Sequence, residues 1–140
     1  MEEKLDPKEF WAFIDETIDR LESWVRKNAA DKNYEVCGQA SNVLYRILVD
    51  WKINERCGEE SVDDVIHIAC LSVRDRIRHD VVMIHNFFHD PTHMQFNPPL
   101  TTEEYNDGYL YGDYYDDCLK LFEDETLSEI CREIRPELYG

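Results

Sequence analysis

Arg74 and His79, in the run VRDRIRH, are the pair of side chains whose types and spacing most directly suggest chemistry. A guanidinium stabilises negative charge on a phosphate, and an imidazole titrates close enough to neutral pH to act as an acid or a base. Asp75 adds a polar neighbour. The pattern therefore predicts, as one hypothesis, a site that cleaves a phosphodiester. The alternative is a solvated basic face, including Arg76 and Arg78, that pairs with acidic residues elsewhere.

The same run resembles the R-x4-H motif, often R-[ND]-x3-H, of the HEPN-domain ribonucleases. Members of that family are small helical bundles that cleave RNA without a metal ion, commonly as dimers. The resemblance implies that Arg74 stabilises phosphate charge, that Asp75 fills the polar position, and that His79 serves as acid or base. This ribonuclease hypothesis requires Arg74 and His79 to share an accessible cleft, and it predicts a dimer.

A second group of candidate residues consists of His85, His89 and His93. On a helix, His85 and His89 would lie one turn apart on one face, a spacing that suits a metal ion. Asp90 and His93 are candidates to complete the ligand set, although Pro91 interrupts the helix before His93. The alternative is a structural cluster in which imidazoles meet free carbonyls at a helix end. We favour that alternative and expect no metal or other cofactor.

Carboxylates and tyrosines are interleaved between Thr101 and Glu125, where Lys120 is the one basic residue. Spread carboxylates repel nucleic acid and attract basic protein grooves, and tyrosines give rigid contact area at low entropic cost. The alternative is that the acidic excess only keeps a small protein in solution. We predict a partner-binding surface made of Glu103, Glu104, Tyr105, Asp107, Tyr109, Tyr111, Asp113, Tyr114, Tyr115, Asp116 and Asp117.

The overall charge supports a protein partner over a nucleic acid. The formal net charge is −16, from 31 acidic and 15 basic residues among 140. Such a balance opposes direct nucleic-acid binding and favours a partner with a basic surface, such as a nucleic-acid-binding protein or a nuclease. Phage anti-CRISPR and other anti-defence inhibitors, DNA mimics and nuclease immunity proteins have comparable size and composition. The favoured hypothesis is a non-enzymatic acidic binding protein, and the HEPN-like ribonuclease is the alternative.

Cysteine spacing and hydropathy indicate the compartment. Five widely separated cysteines with no C-x-x-C pattern predict reduced core thiols, with no disulfide framework or thiolate zinc site. No apolar run approaches the ~20 residues of a membrane-spanning helix. The N-terminal MEEK is acidic and lacks the apolar core of a signal peptide. We therefore predict a cytosolic protein without a membrane partner.

The elements that would position these residues are predicted to be helices. A cap, a proline and an acid in the run DPKE begin a first helix that extends to about Asn28. A second helix is expected from about Tyr34 to Arg56, stopping at Gly58. A third and longest helix is predicted from Val62 to Phe88. Its apolar residues recur every three or four positions, at Ile66, Ala69, Val73, Ile77, Val81, Ile84 and Phe88.

Residues 91–112 are rich in Pro, Asn and Gly and predict a long irregular loop, with a helical turn after Thr101 or a small hairpin around Asp107. A fourth helix is expected from about Asp113, and a capping box at Thr126 begins a short last helix that Pro136 ends. We therefore predict an all-α fold, a single-domain antiparallel bundle of four to five helices over residues 1–140.

Overall fold

Helices at both ends of the chain flank a set of strands in its middle. The structure is a computed structural model, and it describes residues 6–28, 36–74, 77–107, 109–110 and 124–139. The helices are α1 (Pro7–Asn28), α2 (Val36–Asp50), α3 (Ile53–Cys57), α4 (Thr102–Asp107), α5 (Asp124–Ile134) and α6 (Pro136–Tyr139). The strands are β1 (Ile66–Val73), β2 (Ile77–Ile84), β3 (Phe87–His89) and β4 (Tyr109–Leu110). Val62–Asp64 and His93–Gln95 form short 3-10 turns.

The prediction of an all-α bundle is wrong, because the segment that we assigned to the central helix forms a β-hairpin. β1 and β2 pair antiparallel along their whole length, from Ile66 opposite Ile84 to Val73 opposite Ile77. Apart from the half-buried His67 and Ser72, β1 is apolar and buried on both faces, so its apolar residues fit a helical repeat by coincidence. The many Ile and Val residues of this segment favour a strand. The fold is mixed, with helices and an antiparallel sheet.

The sheet has the order β3-β2-β1-β4, and all its neighbouring strands are antiparallel. The turn between β2 and β3 consists of His85 and Asn86, whose φ angles are 50° and 70°. Two central residues with positive φ are the requirement of a type I′ turn, the tight turn that matches the twist of paired strands. Ile77, which we expected in a helical core, is instead 47% exposed at the start of β2.

α2 packs on one face of the sheet, and α1 and α5 pack on α2. Ile66, Ile68, Val82 and Ile84 belong to one buried cluster with residues of these helices, which include Ile14, Leu21, Leu44, Leu48 and Leu127. The predicted start of the first helix is confirmed, since Asp6 Oδ1 accepts a hydrogen bond of 2.9 Å from the backbone N–H of Lys8. The predicted second helix is divided into α2 and α3 by Lys52, which has a φ of 62°.

The opposite face of the sheet carries a smaller buried cluster of Ala69, Leu71, Val73, Val81 and Leu100. Phe96 and Tyr105, from the segment that we predicted as a long loop, pack against it together with Phe88. This segment therefore covers the second face and carries α4 to the edge of the sheet. None of the described helices is long and apolar enough to cross a membrane.

Candidate functional site

Arg74 fastens the segment before α4 to the β1–β2 hairpin. Its Nε and Nη2 atoms donate hydrogen bonds of 3.1 and 2.8 Å to the two carboxylate oxygens of Glu104. Its guanidinium also donates to the backbone carbonyls of Pro98 and Pro99 and lies over the ring of Phe96. The hydrogen bond from Arg74 lowers the pKa of the Glu104 carboxyl. Arg74 is thus neutralised by a bidentate carboxylate contact.

His79 lies on β2 with its side chain 2% exposed, facing the segment that covers the sheet. Its Nε2 atom is 2.6 Å from Oδ2 of Asp90, whose side chain is 5% exposed. The imidazole also packs on Phe96 in a T-shaped arrangement, with 4.8 Å between ring centroids. Burial opposes a charge on the imidazole, but the hydrogen bond to Asp90 outweighs it and raises the pKa of His79 to about 9. His79 is therefore charged at neutral pH.

Asp90, directly after β3, is the centre of a buried group that we call the Asp90 network: Cys37, His79, Asp90, Thr92 and Tyr105. The Tyr105 hydroxyl donates a hydrogen bond of 2.7 Å to Asp90 Oδ2. The backbone N–H and the hydroxyl of Thr92 donate to Oδ1, over 3.0 and 3.1 Å. Burial opposes the carboxylate, but these donors and His79 lower the pKa of Asp90. The charge on Asp90 is therefore fully compensated inside the protein.

Cys37, on α2, brings a thiol into this network. The residue is a buried free cysteine, and its side chain contributes to the raised pKa of His79. One turn further along α2, Ser41 Oγ donates a hydrogen bond of 3.1 Å to the backbone carbonyl of Asp80 on β2. This contact holds α2 beside the strand that carries His79. The sequence analysis assigned the cysteines to core packing and did not connect Cys37 with His79 or Asp90.

The geometry does not meet the condition that the ribonuclease hypothesis set. Arg74 and His79 both lie near the ring of Phe96, but each is bound to its own carboxylate. His79 is also buried, so its ring is closed to a polynucleotide. Asp75 lies outside the described residues. The all-helical scaffold that the resemblance implied is absent from the described chain, since both motif residues belong to a β-hairpin.

The three histidines of the metal hypothesis lie in different surroundings. His85 occupies the β2–β3 turn near Phe10, and His89 stacks on Trp11 with 5.9 Å between ring centroids. His93 Nε2 is 3.2 Å from a carboxylate oxygen of Glu22. Among the residues that the structure describes, no group of three or more His, Cys, Asp or Glu side chains is placed to hold a metal ion.

The predicted partner-binding residues divide into outward and inward side chains. Glu103 and Asp107 are exposed on α4, whereas Glu104 and Tyr105 are half-buried and bind Arg74 and Asp90. Tyr109 pairs through its backbone with β1, opposite Ser72. Tyr111, Asp113, Tyr114, Tyr115, Asp116 and Asp117 lie outside the described residues. Beside α4 is a shallow surface depression of about 310 Å³, the α4 depression, lined by Ser72, Val73, Arg74, Thr101, Glu103, Glu104 and Asp107.

No protein-family model matches this chain, and comparisons with curated proteins and with solved structures gave no match. Two groups of side chains bear on function. One is the α4 depression with its exposed carboxylates, and the other is the Asp90 network with its buried thiol.

Proposed function

We propose that this protein is an acidic, non-enzymatic binding protein that occupies a basic, nucleic-acid-binding surface of a protein partner. Inhibitors of nucleic-acid-directed defence systems and nuclease immunity proteins are the kinds of protein that work in this way. The observation that carries the proposal is the pair of exposed carboxylates, Glu103 and Asp107, at the α4 depression. The four described free thiols agree with the cytosolic setting that the proposal includes.

The lining of the α4 depression carries net negative charge, because its one guanidinium, that of Arg74, is already paired with a carboxylate. Arg74 is paired with Glu104 at 2.8 Å, which leaves Glu103 and Asp107 uncompensated in the lining. These two residues are four positions apart on a helix, where like charges repel at a cost of roughly 0.2–0.5 kcal/mol. A basic groove that docks on α4 would relieve this repulsion. The formal net charge of −16 would attract the same groove from a distance.

The backbone of α4 is held in place before any partner arrives. Thr101 Oγ1 accepts a hydrogen bond of 3.1 Å from the backbone N–H of Glu104, and the Thr101 N–H donates to Glu104 Oε1 over 3.1 Å. This reciprocal pair is a capping box. Together with the Arg74 contact, it holds the backbone from which the exposed carboxylates project. A preorganised surface loses less conformational entropy when it binds.

Tyr105 contributes to the proposal by supporting α4 rather than by touching a partner. Its hydroxyl donates to buried Asp90, and its ring stacks on Phe88 with 5.9 Å between ring centroids. The remaining tyrosines of the predicted surface stay candidates for contact residues. The proposal therefore assigns the steering charge to Glu103 and Asp107, with Asp113, Asp116 and Asp117 as further predicted acids.

A charge-reversal experiment tests this function. The partner is captured from host lysate with the full chain, purified, and its affinity measured over a salt series. The double variant Glu103→Lys/Asp107→Lys should weaken binding at low salt by at least about tenfold, mainly through slower association. The matched control is Glu59→Lys/Glu60→Lys, which changes the charge equally at two exposed positions after α3. Double-stranded DNA should compete with the chain for the same partner.

Two results would overturn the proposal. One is equal loss of affinity in both double variants, because net charge alone would then explain binding. The other is unchanged affinity in the α4 variant across the salt series. The triple variant Asp113→Lys/Asp116→Lys/Asp117→Lys extends the same comparison to the predicted acidic residues beyond β4, and intact helical circular dichroism confirms folding in each case.

A further inference from the structure

An aromatic patch lies beside the β2–β3 turn, where α1 meets β3. Phe87, the first residue of β3, is 64% exposed, and its ring meets Trp11 of α1 in a T-shaped arrangement with 6.4 Å between ring centroids. His89 is two residues further along β3, on the same face of the strand, and stacks on Trp11 at 5.9 Å. We call Trp11, Asp15, Phe87 and His89 the Trp11 patch.

The Trp11 patch is separate from the α4 depression. Phe87 lies opposite Ile84, next to the β2–β3 turn, whereas residues 72–74 in the lining of the α4 depression lie at the other end of the β1–β2 hairpin. Phe88, between the two patch residues of β3, faces the other way and stacks on Tyr105 of α4. The patch is therefore a second surface, which the proposed binding function does not use.

The rings of the patch are available to a cation from outside the chain. The face of an aromatic ring attracts a positive charge, and a guanidinium is the group most often found there. This chain makes such a contact internally, since the guanidinium of Arg135 lies 4.0 Å from the ring centroid of Phe13. Within the part of the chain that the structure describes, no Lys or Arg lies over Trp11 or Phe87.

The charges around the rings favour a positive ligand. Asp15 is exposed one turn after Trp11 on α1, a spacing that makes the two side chains neighbours on the helix surface. Burial lowers the pKa of His89, although the charge of Asp15 opposes this, so the imidazole is neutral at pH 7 and does not repel a cation. Lys8, three positions before Trp11, is the nearest base along α1, and the net charge of −16 keeps the overall field negative.

We propose that the Trp11 patch binds an arginine side chain on the surface of a protein partner. The planar guanidinium would stack on the exposed ring of Phe87, and its N–H groups would donate to the carboxylate of Asp15. Lysine fits less well, because its ammonium is compact and more strongly hydrated. A second copy of this chain is disfavoured as the occupant, since two chains of charge −16 repel each other. The proposal does not depend on the α4 surface.

The first test is an NMR titration of the unmodified full chain with N-acetylarginine amide. The indole N–H signals of Trp11, Trp24 and Trp51 provide an internal comparison. The signal of Trp11 should move at least about threefold further than the other two. N-acetylcitrulline amide has nearly the same shape without the charge, and N-acetylleucine amide is apolar. Both should bind at least about fivefold more weakly than the arginine probe, and N-acetyllysine amide about twofold more weakly.

The second test uses variants of the patch. Phe87→Leu keeps an apolar side chain but removes the ring, and it should weaken binding of the arginine probe about two- to fivefold. The matched control is Ile77→Val, at the far end of β2, where the side chain is 47% exposed. Asp15→Asn should weaken binding about twofold, whereas Glu59→Gln, at an exposed position after α3, should not.

Four results would overturn the proposal. They are equal affinity for the citrulline or leucine probe, a larger shift at either of the other tryptophans than at Trp11, unchanged binding by Phe87→Leu, and movement of the Phe87 signals on simple dilution. The last would identify a second copy of this chain as the occupant. The α4 variant Glu103→Lys/Asp107→Lys should bind the arginine probe at Trp11 within about twofold of the unmodified protein. Failure of one surface is thus distinguishable from failure of the other.

Discussion

The ion pair of His79 and Asp90 should make the stability of this protein depend on pH in a way that one substitution removes. The pKa of His79 rises from 6.5 in an unfolded chain to about 9 in the folded protein. A group whose pKa is raised by folding stabilises the folded state fully below its unfolded pKa. That contribution is lost as the pH rises through the folded value, in a window from about pH 6.5 to about pH 9.

The size of the effect follows from the same displacement of the pKa. Each pKa unit corresponds to about 1.4 kcal/mol, so the rise in the pKa of His79 from 6.5 to about 9 corresponds to about 3 kcal/mol of folding free energy. The side chains are 2% and 5% exposed, so screening by solvent reduces this figure little. At low pH the stabilisation is limited by Asp90, whose pKa is lowered by folding. The contribution of Asp90 to folding free energy is present above about pH 4 and is lost as the pH falls through its folded pKa. The pair should therefore stabilise most between about pH 4 and pH 6.5.

Urea unfolding followed by circular dichroism measures this difference. Between about pH 6 and pH 9.5, the unfolding free energy of the unmodified protein should fall by about 3 kcal/mol relative to that of His79→Gln. Comparing the two proteins cancels the titration of all other groups. Asp90→Asn should also flatten the profile, because the imidazole then lacks its counter-charge. Parallel profiles for the unmodified protein and both variants would refute the reasoning.

Three smaller predictions concern the supports of this region. Arg74→Gln should lower the midpoint of urea unfolding, since Glu104 then loses a charged, bidentate partner. Asn86→Gly should raise the unfolding free energy by up to about 1 kcal/mol, because Asn86 has a φ of 70°, a conformation that glycine adopts without steric cost. The control Asn54→Gly, inside α3, should lower the unfolding free energy by about as much. Tyr105→Phe should cost about 1–3 kcal/mol and leave partner affinity within about twofold; a larger loss of affinity would make Tyr105 a direct contact.

The helical ends of this fold were predictable, and its centre was not. The Asp6 cap and the apolar stripe of α1 are local signals, and the capping box at Thr126 located α5 within two residues of its observed start at Asp124. The β1–β2 hairpin was missed because burial on both faces of β1 removed the alternation that marks a strand. Such a segment differs from a buried helix mainly in its content of β-branched residues.

The candidate site was predictable only in part. Their spacing in the sequence singled out Arg74 and His79, and both do take part in the polar contacts of this region. A local motif, however, does not predict which residues they contact. Their partners Glu104 and Asp90 come from segments that meet the hairpin only after the chain folds back over the sheet. Cys37 is still more distant in sequence and was one of five cysteines without a distinguishing neighbour. Long-range contacts of this kind have no period and no spacing from which to predict them.

The separation of inward and outward side chains on α4 has a consequence for how this protein could evolve. Glu104 and Tyr105 face inward and hold the helix to Arg74 and Asp90, while Glu103 and Asp107 face solvent. Substitutions at the two outward positions leave every described anchoring contact of the helix intact. Selection could therefore change the outward side chains of α4 without disturbing its folding. The same separation makes α4 a place where an engineer could install new outward side chains on an unaltered scaffold.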